Sequence, residues 1–161
     1  MLSLLSFLFL SSVADAKEIT SDQGIGVGIN TWFGDIPALS VRYSLPVVGE
    51  NTNQWELQAE GLVGFSSSAA DRSSALFGAR ILSAIVIEDN LNLLAGGGAG
   101  VAIQNKTLAL QLQPAVEAQF FLFGLDFISF NAGLGVDITM GAGENAIGTA
   151  GKVLGGFHYW F

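Results

Sequence analysis

The sequence predicts an all-β fold, an eight-stranded antiparallel up-and-down transmembrane β-barrel, and three observations lead to it. Half of the 161 residues are hydrophobic and only 12% are charged, against about 25% in an average globular domain. Apolar and polar residues alternate with period two along almost the whole chain, which is typical of strands rather than helices. The chain ends on the aromatic run "FHYWF", where a soluble protein usually becomes polar.

The N-terminal residues 1–16 are set apart by composition. The apolar run "LLSFLFLSSV" is followed by Ala14-Asp15-Ala16, an A-x-A-type cleavage site, as in a secretory signal peptide. A membrane anchor is the alternative, but ten apolar residues are too few to span a bilayer. We therefore expect residues 1–16 to be a signal peptide and residues 17–161 to be an exported barrel domain.

Alternation divides the rest of the chain into eight segments separated by turn-like pieces. Pieces such as "GDIP", "EDN" and "NK" are short enough for hairpins. A tilted strand needs about 9–11 residues to cross a bilayer, and most of the segments reach that length. The predicted strands are residues 24–33, 38–45, 54–66, 74–87, 91–104, 107–120, 125–140 and 151–161.

The segment 107–120, "TLALQLQPAVEAQF", shows the pattern most clearly. Its even positions carry mostly Leu, Val and Phe, whereas its odd positions after the first carry Gln, Ala and Glu. Because alternate side chains of a strand point to opposite faces, the segment has one apolar and one polar face. Pro114 has no backbone N–H to donate, so we expect a bulge or a locally broken ladder there.

The bulky apolar face is predicted to point outward, into lipid. An eight-stranded barrel has an interior only just wide enough for side chains to fill it. The apolar phase contains rows such as Ile25, Val27 and Ile29, whereas the opposite phase is rich in Gly, Ala, Ser and Gln. A soluble lipocalin-type barrel has the reverse arrangement, with its apolar face inside. The composition therefore favours a membrane barrel.

Five charged residues in the predicted strands fall in the polar, inward phase. An outward basic side chain at mid-depth costs about 2–4 kcal/mol, so these residues are expected to pair inside the lumen. The cluster is interpreted as a plug of ion pairs that locks the barrel, and an ion path or a gate is the functional alternative. Its predicted members are Arg42, Glu56, Glu60, Arg80 and Glu117.

The last predicted strand explains the aromatic terminus. Its outward phase carries Phe157, Tyr159 and Phe161, and aromatic rings form girdles at both membrane interfaces of such barrels. Tyr159 and Phe161 are expected at the periplasmic interface. Trp55, Phe120 and Phe123 are expected at the same level, and Phe33, Phe65 and Phe77 at the opposite rim.

With these features, the chain resembles small bacterial outer-membrane β-barrels of the OmpA/OmpX type. The last segment, "KVLGGFHYWF", is similar to the C-terminal signature of that family. The resemblance implies that Phe157, Tyr159 and Phe161 form the signal read by the barrel-assembly machinery. It also implies a location in the bacterial outer membrane, with lipid and lipopolysaccharide as surroundings and other envelope proteins as candidate partners.

Several other functions find little support in the sequence. Cysteine is absent and the formal net charge is −8, which argue against thiolate metal sites and nucleic-acid binding. The glycines of "GIGVG" and "GGGAG" lie within strands, so they are interpreted as making room for bulky neighbours in the lumen rather than as nucleotide loops. His158 is the only histidine and lacks the His-x-Ser spacing of lipid A-modifying barrels, so lumen packing is favoured for it.

The sequence thus predicts a non-enzymatic outer-membrane barrel with a plugged lumen, without metal or cofactor. Its role is expected to be structural, or that of an accessory subunit of an envelope complex. A narrow pore for small solutes is the first alternative, and a lipid-modifying enzyme is the second.

Overall fold

The computed structural model describes residues 24–32, 37–45, 56–68, 72–88, 90–104, 107–141 and 148–161, and the predicted signal peptide lies outside them. These residues form a closed antiparallel barrel in which each strand pairs with the next and β1 pairs with β8. The described residues contain no helix long and apolar enough to cross a membrane. The strands are β1 Ile25–Asn30, β2 Ala38–Leu45, β3 Leu57–Ser68, β4 Arg72–Glu88, β5 Leu91–Gln104, β6 Thr107–Leu122, β7 Leu125–Met140 and β8 Gly148–Trp160.

The predicted eight-stranded, up-and-down fold is confirmed, and the bounds of β2, β5 and β7 agree with the prediction. The predicted first strand, 24–33, is too long, since β1 ends at Asn30. Beyond it the Thr31 hydroxyl bonds to the backbone of Gly155 at 3.0 Å, and the Trp32 side chain is buried. Conversely, β8 begins three residues before the predicted start at 151.

The strands are strongly tilted, as the register shows. Gly28 on β1 lies directly opposite His158 on β8. When the row of opposed residues is followed from Gly28 the other way around the barrel, through β2–β7, it reaches β8 at Gly148, ten residues from His158. With a rise of about 3.3 Å per residue and a strand spacing of about 4.8 Å, that offset gives a tilt of about 40°. We call the end that carries the β1–β2 connection the upper end, and the end that carries Phe161 the lower end.

The alternation of faces is as predicted from the sequence. Ile25, Val27 and Ile29 are exposed on the outer wall, and the intervening Gly26, Gly28 and Asn30 are buried. The same pattern runs through β6, where the Leu and Val side chains point outward and the glutamines point inward. Most of the large apolar side chains therefore form the outside of the barrel.

Two groups of glycines allow close approach between strands. A Cβ at Gly28 would lie 1.7 Å from the carbonyl oxygen of Phe157, and one at Gly26 would lie 3.0 Å from the Trp160 ring. Gly26 therefore leaves room for a bulky lumen neighbour, as predicted, whereas Gly28 lies against the backbone of β8. In "GGGAG" the contact is likewise with backbone, because a Cβ at Gly96 would lie 2.1 Å from the carbonyl oxygen of Ile81 on β4.

Pro114 interrupts the sheet on one side only. The β6–β7 pairing passes from Leu112 opposite Ile138 to Ala115 opposite Gly135, with no pair between them and no change of register. On the other side Pro114 stays in register opposite Gly97. The structure therefore has the predicted broken ladder without a bulge.

Aromatic side chains gather near both ends of the outer wall. At the lower end the Tyr159 ring lies 4.9 Å from that of Phe161 and 5.3 Å from that of Phe127. In the upper half the rings of Phe65 and Phe77 meet edge to face at 5.9 Å. These two lie three and five residues from the upper ends of their strands. Phe120 and Phe123 lie at the lower end as predicted, whereas Phe33 and Trp55 lie outside the described residues.

The close contact at Gly28 leads to a first prediction. Gly28→Ala is expected to destabilise the barrel by about 3 kcal/mol or more, because the new methyl group overlaps the backbone where β8 closes on β1. Urea unfolding of the refolded protein measures the change. Gly61→Ala is the matched control, since nothing lies within 4 Å of that Cβ position. Equal stability of the two variants would contradict the contact.

Candidate functional site: a charged layer across the bore

Three charged side chains lie side by side on the inner wall. Arg42 on β2 is directly opposite Glu60 on β3, and Glu60 is directly opposite Arg80 on β4. Arg42 Nη2 lies 2.9 Å from Glu60 Oε2, and Arg80 Nε donates to the same oxygen. Oppositely charged pairs in this cross-strand relation attract each other, so Glu60 links the two arginines.

Glu117 completes the layer from the far side of the barrel. It belongs to β6, yet its Oε1 lies 2.9 Å from Arg42 Nη2 and its Oε2 lies 2.9 Å from Arg80 Nη2. Both contacts are at ion-pair distance, so Glu117 joins the two arginines from across the bore. We call Arg42, Glu60, Arg80 and Glu117 the charged layer; all four are buried, and their formal charges sum to zero.

Glu56, the fifth predicted member, is connected to this layer only indirectly. Its Oε1 accepts hydrogen bonds from the Ser44 hydroxyl at 3.0 Å and from Gln58 Nε2 at 2.8 Å. Gln58 Oε1 in turn accepts a bond from Arg42 Nη1 at 3.2 Å. A neutral amide therefore stands between Glu56 and Arg42, and Glu56 itself is half-buried toward the lower end.

His158 extends the layer through partners that the sequence analysis did not identify. Its Nε2 lies 2.7 Å from the Ser40 hydroxyl and 3.5 Å from Glu60 Oε1, and its Nδ1 lies 2.8 Å from Asn131 Nδ2. The Ser40 hydroxyl also donates to Glu60. Ser40 lies in the inward phase two residues before Arg42, and that spacing is the one signal by which the sequence could have revealed it.

Above the charged layer, an apolar group fills the bore. The Trp32 ring lies 3.3 Å from the Arg80 guanidinium carbon, a cation–π contact that covers the layer from the upper side. Leu62 and Leu154 belong to the same buried apolar cluster as Trp32. The cluster consists of Trp32, Ala38, Leu62, Leu76, Ala102, Ala115 and Leu154.

Below the charged layer, a chain of amides and hydroxyls crosses the bore. Gln119 Oε1 accepts from Gln58 Nε2 at 3.2 Å and from Asn92 Nδ2 at 3.3 Å. Near the lower end, the Trp160 indole N–H donates to the Ser129 hydroxyl at 2.8 Å. Both sides of the charged layer are thus packed with side chains.

The three residues of the predicted assembly signal lie on the outer wall. Phe157, Tyr159 and Phe161 are exposed, and the side chains between them, His158 and Trp160, are buried. The Phe157 ring lies 5.5 Å from that of Phe130 on β7. The C-terminal strand therefore presents a row of aromatic rings to the surroundings.

The arrangement has some of the parts of a hydrolase, but these parts are buried in the bore. Ser40, His158 and Glu60 combine a hydroxyl, an imidazole and a carboxylate, as nucleophilic catalysis requires. All three are buried, and Glu60 is shared with two arginines. Among the described residues, no three His, Cys, Asp or Glu side chains are placed to hold a metal ion.

Comparisons with known proteins assign no family. A scan of the chain against protein-family models finds no match, and searches of curated proteins and of solved structures find no significant match either.

The geometry of Glu117 leads to a second prediction. Glu117→Gln is expected to destabilise the barrel by about 3–5 kcal/mol, because it leaves two buried arginines with one carboxylate. Glu56→Gln is the matched control and is expected to cost less than about 1 kcal/mol, since Glu56 is half-buried and bonded to neutral groups. Equilibrium unfolding in urea compares the two, and similar losses would contradict the structural role of the layer.

Proposed function

We propose that the protein is an integral outer-membrane β-barrel with a plugged lumen, serving as a structural protein or an accessory subunit of an envelope complex. The single observation that supports this most strongly is the division of the strands into a bulky apolar outer wall and a charged, filled bore. The proposal also rests on the resemblance of "KVLGGFHYWF" to the terminal strand of OmpA/OmpX-type proteins.

The outer wall suits hydrocarbon better than water. Thirty large apolar side chains are exposed on the described residues, and each of the eight strands carries at least one of them. A monomeric soluble protein rarely exposes a contiguous apolar patch larger than about 300–600 Å². Closure of the barrel by β1 and β8 also satisfies most of the backbone hydrogen bonds between strands, as a membrane-spanning sheet requires.

The filled bore supports a plugged barrel over an open pore. Arg42 and Arg80 span the inner wall between Glu60 and Glu117, and Trp32 covers Arg80 from above. Conduction would require these contacts to open. The alternative is a narrow pore gated by the charged layer. The observation in its favour is that Arg42 and Arg80 pair with Glu117 across the bore, because such ion pairs can separate and re-form.

The outer face of β8 supports assembly in an outer membrane. Phe157, Tyr159 and Phe161 form an exposed row of aromatic rings on the outer wall, where a membrane-inserting machinery could bind them. Tyr159, Phe161 and Phe127 form a cluster at the lower end, which suits the interface region of a bilayer. Lipid, lipopolysaccharide and the barrel-assembly machinery are accordingly the proposed partners.

A third prediction tests the lipid-facing wall by its depth dependence. Val41 and Leu45 lie outward on β2 with similar exposed fractions, 48% and 37%, but Leu45 is at the lower end of the strand. Val41→Arg is expected to lower stability in phospholipid vesicles by about 2–4 kcal/mol, and Leu45→Arg by about 0–1 kcal/mol. Urea titration of the vesicle-inserted protein measures both. If the wall met water, the two variants would behave alike.

A fourth prediction separates the plug from the gate. The purified protein is expected to give no single-channel steps in planar bilayers, because packed side chains fill the bore on both sides of the charged layer. Arg42→Ala is expected to lower the free energy of unfolding by about 3 kcal/mol and still to give no single-channel steps. Reproducible steps from the unaltered protein, changed in size by Arg42→Ala, would instead favour the gated pore.

The lipid-modifying enzyme is the other alternative, and the contact of Ser40 with His158 is the observation in its favour. Both side chains are buried in the bore, so a lipid would have to displace the packing to reach them. A deacylation or acyl-transfer assay on lipopolysaccharide tests this alternative. Activity that His158→Ala or Ser40→Ala abolishes would support it against the structural role.

A further inference from the structure

Strand β8 has a backbone edge that β1 does not cover. Pairing between the two strands runs from Trp160 up to Gly156 and stops where β1 ends at Asn30. On β8 the odd-numbered residues direct their backbone toward β1, as the bonds from Phe161 N to Ile25 O and from Thr31 N to Gly155 O show. The next odd residues upward, 153, 151 and 149, still pair with β7 on the other side. We call residues 149–153 the β8 edge.

The exposed fractions of the residues at this edge are consistent with the absence of a paired strand on the β1 side within the described residues. Val153 is 82% exposed, well above the 36–59% of the outward apolar residues on β1 and β2. Gly151 is exposed as well, and nothing lies within 4 Å of its Cβ position. Within the described residues, Gly151 and residue 149 have no backbone partner on the β1 side.

The connection between β1 and β2 is too short to cover the upper part of the edge, Gly151 and residue 149. Asn30 and Ala38 are direct partners, so the connection of seven residues begins and ends at the same level of the barrel. Any height that the connection gains in its first half must be lost in its second half. Their midpoint, residue 34, can stand at most four residue steps above Asn30, or about 13 Å along the strand. Gly151 lies five steps above Gly156, the partner of Asn30, and residue 149 lies seven steps above it.

The edge lies at membrane depth if the barrel spans the bilayer as proposed. At a tilt of about 40°, each residue of a strand rises about 2.5 Å along the barrel axis. From Tyr159 in the lower aromatic cluster, the rise is about 15 Å to Val153 and about 20 Å to Gly151, both within an apolar band about 25 Å tall, and residue 149 lies at the top of that band. Open sheet edges do not occur in contact with hydrocarbon, because no lipid tail can bond their N–H and C=O groups.

We propose that an extended segment of a different polypeptide adds as a β-strand along the β8 edge, so that this edge is the contact through which the barrel joins an envelope complex. The inference rests on the proposed membrane location. Hydrogen bonds from the odd residues of the edge would hold the added strand, as in other cases of strand addition. One face of that strand would meet lipid, so its sequence is expected to alternate apolar and small or polar residues, like the strands of this chain.

A second copy of the chain fits the edge poorly. Two copies inserted in the same direction would be related by a two-fold axis along the membrane normal. That axis would cross their two β8 strands, each tilted by about 40°, at about 80° to each other. Strands that cross so steeply cannot form a ladder, which leaves a different chain as the partner.

Photocrosslinking in the native membrane tests the proposal. A photoreactive p-benzoylphenylalanine at Val153 is expected to give an adduct with one other polypeptide. The same group at Ile81, which is 56% exposed on a strand paired on both sides, is expected to give lipid adducts only. Lipid adducts at Ile81 report the membrane location independently, so their absence would overturn the proposed function.

The variant Gly151→Pro tests whether the backbone of the edge makes the contact. The N–H of Gly151 points away from β7, so its loss breaks no bond of the barrel, but it removes a donor to the added strand. The Val153 adduct is expected to fall at least tenfold while the barrel stays folded. Thr149→Pro, at the next odd position, replaces Gly151→Pro if that variant does not fold.

Three results would overturn the proposal. They are lipid adducts alone at Val153, an adduct of twice the mass of the chain, and a polypeptide adduct that persists at full yield in the folded proline variant.

Discussion

The narrow bore of an eight-stranded barrel is the constraint on which the rest of the structure depends. A bore of this size holds side chains but little else, so every inward position must be small, or must find a partner across or along the wall. Arg42 and Arg80 meet this constraint by sharing Glu60 beside them and Glu117 opposite them. At the junction of β1 and β8, Gly28 satisfies the same constraint because it has no side chain.

The same constraint explains why the large apolar residues are outside. With ion pairs, amides and Trp32 in the bore, no room remains there for the Ile, Leu and Phe of the other phase. The outer wall is therefore apolar because of what the bore must hold. An apolar outer wall favours surroundings that do not wet it, which connects the packing of the bore to the proposed location in a membrane.

Sequence periodicity was sufficient for the fold and for the phase of each strand, because side-chain direction alternates strictly along a strand. It placed Arg42, Glu60, Arg80 and Glu117 correctly on the inner face. It could not place Ser40, Asn131 or Gln58 in the network, because contacts across the bore depend on the shear between strands, and the shear is set by register rather than by pattern. The early end of β1 was missed for a similar reason, since the Thr31 side chain bonds to the backbone of β8 and the Trp32 ring packs on Arg80 in the bore.

The most direct test of the central claim is a single-cysteine spin-label scan along β2, residues 38–45, in a chain that has no natural cysteine. In phospholipid vesicles, labels at the outward positions, such as Leu39 and Val41, are predicted to collide mainly with lipid-soluble oxygen. Labels at the inward positions, such as Ser40 and Arg42, are predicted to be shielded from oxygen and from a water-soluble relaxation agent. Preferential collision of the outward labels with the water-soluble agent would contradict the account.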